Sequence, residues 1–359
     1  MSRFLSRRLE NLTPYVPGEQ PRDNTQIIKL NTNENPYPPS PRVQAAIASF
    51  AKDPLRLYPD AESAELVAAA AGLYGLAPRQ VLAGNGSDEL LAFAIQAFGG
   101  FGLAFPDITY GFYAVWAALF QVKYCQVPVR EDFRLALADY ADQPGTLLIA
   151  NPNAPTGIAL SRVEIEGLLR QNRNRLVIVD EAYADFNTEN ALPLLQTYDN
   201  LLIIRTLSKS YALAGIRVGL ALGSAELIAD LRRVKFSFNP YNINRVSEHL
   251  AIEALDDQNY FHNCRKLVIA GREQLTADLQ RLGFTVLPSR ANFVFAGEHE
   301  HLAAADYEAA LRQRGILVRY FPELRCSGFV RISVGRPQEM TALIEATREI
   351  LGKPKAGEE

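Results

Sequence analysis

Between about residue 60 and residue 225 the chain repeats one pattern: a short apolar run, often β-branched, then in several places a stretch with helical spacing. The runs are Val81–Ala83, Gly102–Phe105, Lys123–Val129, Leu147–Ala150, Leu176–Val179, Leu201–Ile204 and Val218–Leu222. Helical stretches lie at Glu62–Leu73, Glu89–Phe98 and Val163–Arg170. Strand alternating with helix is the signature of a mainly parallel sheet covered on both faces. An α/β fold with a mainly parallel, seven-stranded sheet in a large domain is therefore expected. Such sheets bind ligands beyond the carboxyl ends of their strands.

The flanking regions differ. Residues 1–45 are rich in Pro, Asn and polar side chains and read as an arm contributing to a small lobe. Residues 46–240 are assigned to the large domain and 241–359 to a smaller α+β C-terminal domain. In the latter, Phe284–Leu287, Ile316–Arg319 and Phe329–Val334 read as strands. The balance of 37 basic against 40 acidic residues gives no general electrostatic attraction to nucleic acid or an anionic membrane. No apolar run approaches the ~18 residues of a membrane helix, and Met1–Arg8 lacks the apolar core of a signal peptide. Cys125, Cys264 and Cys326 have no CxxC spacing, which suits a reducing cytoplasm.

Four short segments sit at strand ends. Thr206-Leu207-Ser208-Lys209-Ser210, with Arg217 eight positions beyond the lysine, follows a buried run. A lysine that bonds covalently to a carbonyl needs a desolvated site that lowers its pKa. Hydroxyls and an arginine beside it suit a phosphate. A surface-loop lysine fits the same segment equally well. Asp180, in Val179-Asp180-Glu181-Ala182-Tyr183, ends an apolar strand, where a carboxylate is costly unless partnered. Holding a protonated ring nitrogen is one such use; capping a helix is another. Gly84-Asn85-Gly86-Ser87-Asp88-Glu89 offers free N–H groups and a helix dipole to an anion, or is simply a tight turn. Asn151-Pro152-Asn153-Ala154-Pro155-Thr156-Gly157 is a rigid turn that presents amides at the sheet edge.

Arg331 lies inside an apolar strand, where an unpaired charge implies a ligand. Arg319 ends a strand and fits a solvated rim as well. His249, His262, His299 and His301 form no metal-site pattern, and Trp116 reads as core.

Taken together, the order of these motifs resembles fold-type I, pyridoxal 5′-phosphate-dependent enzymes of the class I/II aminotransferase group. Within it the chain is similar to the histidinol-phosphate aminotransferase family. The more specific matches are Leu30-Asn31-Thr32-Asn33-Glu34-Asn35-Pro36, Tyr58-Pro59 and Thr206-Leu207-Ser208-Lys209. The resemblance implies that Lys209 bonds the cofactor and shuttles the proton, that Asp180 pairs with the pyridine nitrogen, and that Tyr183 contacts the phenolic oxygen. It implies that Tyr110 stacks on the ring and that Gly86, Ser87, Asp88, Ser208 and Arg217 surround the phosphate. Tyr58 reaches that phosphate from the partner of a homodimer. Arg331 receives the substrate anion, with Tyr15, Asn33 and Arg319 in the same pocket. The family's second Asn of Asn-Asn-Pro-Thr-Gly is Ala154 here, so Asn153 is the candidate substitute.

The implied reaction is ping-pong transamination in histidine biosynthesis. One pair is histidinol phosphate and imidazole-acetol phosphate, and the other is glutamate and 2-oxoglutarate. An aromatic amino-acid aminotransferase and a threonine-phosphate decarboxylase are rival readings that the motifs around Lys209 do not separate. A cofactor-binding DNA regulator would need an added domain for which the N-terminal segment is too short.

Overall fold

The computed structural model describes residues 2–21, 27–297, 299–323 and 325–354. The first elements are β1 (Ile28–Lys29), α1 (Pro41–Ser49), α2 (Ala64–Tyr74), β2 (Val81–Gly84), α3 (Gly86–Phe98), β3 (Leu103–Pro106), α4 (Phe112–Leu119) and β4 (Tyr124–Val127). Then come β5 (Thr146–Ala150), α5 (Arg162–Gln171), β6 (Val177–Asp180), β7 (Leu201–Thr206), β8 (Gly219–Gly223), α6 (Ala225–Phe238), α7 (Arg245–Asp256) and α8 (Gln258–Arg281). The chain closes with β9 (Thr285–Val286), β10 (Phe293–Gly297), α9 (Ala304–Gln313), β11 (Ile316–Leu317), β12 (Arg319–Tyr320), β13 (Phe329–Ser333) and α10 (Pro337–Ile350).

All seven expected runs of the large domain are strands of one sheet, ordered β2-β8-β7-β6-β5-β3-β4. Every neighbouring pair is parallel except those made by β8, which runs against both β2 and β7. Side chains alternate across each strand, and the alternation divides the core in two. Val81, Ala83, Leu147, Ile149, Val177, Val179, Leu201, Ile203, Leu220 and Leu222 face one way, packed with residues of α2, α5 and α7. Leu82, Leu103, Phe105, Leu148, Ile178, Leu202, Ile204 and Ala221 face the other, under α3, α4 and α6. Burying each such side chain contributes roughly 1.5–3 kcal/mol, so both faces are committed to packing. Chemistry is left to the strand ends. Trp116 belongs to the second core, stacked on Phe112 at 4.6 Å.

The smaller sheet is antiparallel, in the order β12-β13-β10-β9. Its core includes Val294, Val330 and Ile332 beneath residues of α8, α9 and α10. Expected as one strand, residues 316–319 form two. Ile316–Leu317 pairs with β1 and Arg319–Tyr320 with β13, because the chain changes sheet at Val318. The β1–β11 pair stitches the N-terminal arm to this sheet. Phe295, Cys326 and Phe329 of the small lobe pack on Ile108, Val129 and Phe133 of the large one. Among the described residues no helix is long and apolar enough to cross a membrane, and no group of His, Cys, Asp and Glu is arranged to hold a metal ion.

Candidate active site

The sheet order decides which residues meet. The carboxyl ends of β2, β5, β6 and β7 share one edge, and β8 runs the opposite way, so Arg217 just before β8 arrives at that same edge. A cavity of about 470 Å³ opens there. It is lined by Ser87, Asp88, Tyr110, Asp180, Tyr183, Ser208, Lys209 and Arg217, and also by Tyr15, Asn33, Arg319 and Arg331. The motifs that were four separate segments in sequence thus form one site.

At one end is an anion cradle. Arg217 donates to Asp88 Oδ2 at 3.2 Å and to Ser208 Oγ at 3.3 Å, while Tyr110 Oη donates to Asp88 Oδ1 at 3.0 Å. Gly86 has φ of +79°, and a Cβ built there would lie 2.6 Å from Arg217 Nη2. A Cβ on Gly219 would lie 2.5 Å from the Ser87 nitrogen. Two glycines therefore let the guanidinium settle against the first turn of α3. The free N–H groups of that turn favour a phosphate. The cradle has the donors and the close backbone approach that the phosphate of pyridoxal phosphate requires.

In the middle, Asp180 is buried at 6% exposure. Tyr113 Oη donates to its Oδ2 at 2.7 Å and the Ala182 N–H to its Oδ1 at 3.1 Å. Burial pushes the carboxyl pKa up to about 6, against the lowering effect of those two bonds. A buried carboxylate at a cavity wall is suited to a cationic ring nitrogen. Lys209 Nζ donates to the Thr32 carbonyl at 3.1 Å and lies 5.7 Å from the Tyr183 ring. Tyr183 Oη accepts from Asn33 Nδ2 at 3.0 Å. Asn33, with φ of +57°, is also bonded through its N–H and its Oδ1 to Ser333. Behind this, Arg205 pairs with buried Glu181 at 2.7 Å and with Asp185 at 3.2 Å. Asp185 in turn accepts from Ser210 Oγ at 2.5 Å, fixing the turn that carries Lys209.

At the far end, the Arg331 guanidinium lies between the rings of Phe293 and Phe321, at 5.3 and 5.5 Å. Its Nη2 donates to the Asn31 carbonyl at 3.0 Å, but its buried Nε has no partner among the described residues. Burial lowers its pKa. Arg319 donates weakly to the Val16 carbonyl at 3.5 Å, above Phe321. Tyr15 stacks on Phe112 at 4.2 Å, and burial raises its pKa despite Arg331 and Arg319 nearby. A half-buried guanidinium at a cavity wall is suited to pair with an anion.

Two candidates are placed elsewhere. Asn153 does not line the cavity: its Oδ1 accepts from Thr109 Oγ1 at 2.8 Å and its Nδ2 donates to the Ile108 carbonyl and to Thr156 Oγ1. Those bonds consume its amide inside the turn, and Ala154 presents a methyl group to the cavity instead. Tyr58 is 77% exposed, stacks on Tyr241 at 4.7 Å and lies outside its own chain's cavity. The sequence reading missed Thr32, whose carbonyl holds Lys209, and Tyr113, whose hydroxyl holds Asp180. Only the placement of Tyr113 three residues after Tyr110 hinted at the latter.

The chain resembles known proteins over most of its length. Residues 25–346 match the family model "Aminotransferase class I and II". The chain is 51% identical to histidinol-phosphate aminotransferase 1 of Bradyrhizobium diazoefficiens, covering 98% of this chain and 100% of that protein. It is 50% identical to histidinol-phosphate aminotransferase 1 of Bordetella parapertussis, covering 98% and 99%. The crystal structure of histidinol-phosphate aminotransferase from Sinorhizobium meliloti, in complex with pyridoxal 5′-phosphate, superposes with a TM-score of 0.79 at 25% identity, covering 90% of this chain and 91% of that one.

Proposed function

The chain belongs to the class I and II aminotransferases, and on that premise we propose that it exchanges the amino group between histidinol phosphate and 2-oxoglutarate, using pyridoxal 5′-phosphate. The observation that carries the reading is Arg331: a half-buried guanidinium that lines the same cavity as Lys209, with Nη2 bonded to the Asn31 carbonyl and a buried Nε that has no partner among the described residues. The two amino donors, histidinol phosphate and glutamate, share only an anion set apart from the reacting amine. A guanidinium fork pairs with phosphate and carboxylate alike.

Ser87, Ser208, Arg217 and the N-terminus of α3 would hold the cofactor phosphate, Tyr110 and Tyr183 would bound its ring, and Asp180 would face its pyridine nitrogen. When bound, pyridoxal phosphate supplies an electron sink for negative charge at the substrate Cα. Lys209 Nζ is the group that holds the cofactor covalently and, once displaced by substrate amine, removes the Cα proton as general base and returns it as general acid. Asp180 keeps a negative charge at the far pole of the site, out of reach of water. Arg331, aided by Arg319, Tyr15 and Asn33, orients the substrate so that its Cα–H faces Lys209.

The same reading takes the active unit as a homodimer in the cytoplasm. Tyr58 supports the dimer: an exposed tyrosine stacked on Tyr241 is arranged to be offered to another chain. The three described cysteines are unpaired, in keeping with a reducing compartment.

The test is a stopped-flow half-reaction with histidinol phosphate, phenylalanine and threonine phosphate side by side. The fastest loss of the cofactor's visible band is expected with histidinol phosphate. A faster reaction with either of the others, or release of CO₂ from threonine phosphate, overturns the assignment.

A further inference from the structure

We propose that Tyr113 is a positioning residue that aims the Asp180 carboxylate at the cofactor's pyridine nitrogen and sets how much negative charge it presents there. The inference rests on the cofactor reading given above. Tyr113 is wholly buried, and its hydroxyl donates to Asp180 Oδ2 at 2.7 Å. Asp180 Oδ1 takes the Ala182 N–H at 3.1 Å, so each oxygen has one fixed donor and the carboxylate cannot swing. Tyr110 lies two residues before α4, the Tyr113 N–H donates to its carbonyl at 3.2 Å, and the two rings meet edge-on at 5.7 Å and 90°. One turn at the start of α4 thus fixes both the aromatic wall of the cavity and the group that faces the ring nitrogen.

The other charges around Asp180 do not substitute for this bond. Asp88 of α3 and the adjacent Glu181 both disfavour its ionised form. Glu181 is neutralised by Arg205, and Asp88 by Arg217. Lys209 lines the same cavity and is held by the Thr32 carbonyl. Tyr110 donates to Asp88, and Tyr183 accepts from Asn33. Tyr113 is the one side chain among the described residues that donates to Asp180.

The consequence is measurable in the spectrum of the holoenzyme. A positive ring nitrogen repels the proton on the nitrogen that links Lys209 to the cofactor. Without Tyr113, Asp180 ionises less readily, the ring nitrogen carries less positive charge, and the linking nitrogen keeps its proton to higher pH. In Tyr113→Phe the midpoint of the visible-band titration is expected to rise by roughly one pH unit, and cofactor affinity to fall about tenfold, the effect of losing one hydrogen bond to a charged group. Tyr140→Phe removes another buried hydroxyl, one without a partner among the described residues, and should leave the midpoint in place. Replacing Tyr113 by a ring-fluorinated tyrosine, a stronger donor of nearly the same shape, should move the midpoint down and serves if the Phe variant does not fold. An unmoved midpoint in either Tyr113 variant overturns the proposal while leaving the cofactor reading intact. A wild-type chain that takes up no cofactor overturns both.

Discussion

Gly86 and Arg217 occupy space that a single methyl group would claim: a Cβ on Gly86 would lie 2.6 Å from Arg217 Nη2. Its φ of +79° adds about 1–2 kcal/mol of strain for any L side chain. Gly86→Ala is therefore expected to push the guanidinium off the α3 turn. Equilibrium dialysis should show cofactor affinity lower by about tenfold, the equivalent of ~1.4 kcal/mol. Affinity equal to wild type would mean that Arg217 holds no phosphate.

Arg331 is a half-buried cation at the cavity wall, proposed to receive the substrate anion. Arg331→Gln should raise KM for histidinol phosphate and for glutamate together, lowering kcat/KM by roughly 10–100-fold for the loss of a charge-assisted pair of ~1.5–3 kcal/mol. Melting of the substrate-free holoenzyme should be unchanged or slightly higher, because the uncompensated charge is gone. A rise in KM for only one of the two substrates would show that they use different receptors.

Asp180 titrates near 6 in the folded, cofactor-free chain, above its ordinary value of 3.8, because burial disfavours its charge. Its contribution to folding is thus full below the ordinary value and is lost as pH rises through about 6. Cofactor binding needs the opposite form, the carboxylate. Affinity for pyridoxal phosphate should therefore climb as pH rises toward about 6 and show a break there that is absent in Asp180→Asn. A break of equal size in the variant would assign it to another group.

In the proposed dimer, exposed Tyr58 serves the partner's site. If so, Tyr58→Ala and Lys209→Ala are defective in different chains of one dimer. Unfolding and refolding an equal mixture should restore about a quarter of wild-type activity: half of the dimers are mixed, and each of those has one complete site. Lys209→Ala alone should be inactive, with no covalent cofactor band. No recovery on mixing would place Tyr58 outside the site.

The sheet, and most of the residues that meet at its cavity, were legible because they follow from local rules. Asp180 is a carboxylate closing the run Val177-Ile178-Val179, and because all four positions are buried the one polar residue stands out. Lys209, Ser208 and Arg217 stood out as charged or hydroxyl residues beside strands. Tyr113 did not, because an aromatic in an apolar stretch reads as packing, and its acceptor lies sixty-seven residues on. Asn153 is the opposite case. An amide in a strand-end turn looks available, yet Thr109, Ile108 and Thr156 use it up, and nothing local in the sequence announces those partners. The break at Val318 was hidden because Ile316–Arg319 is uniformly extended in pattern while pairing with two different strands.

Asn33 reaches Tyr183 with one atom and Ser333 with two others. During synthesis on a ribosome these partners emerge far apart in time. The phosphate cradle, Asp180 and Lys209 all leave the exit tunnel before β10 and β13 exist. A nascent chain at that stage carries the groups proposed to hold the cofactor, but not Arg331, the proposed receptor of the substrate anion. On the proposed reading, the last-made strand of the small sheet completes a site whose cofactor side is already synthesised.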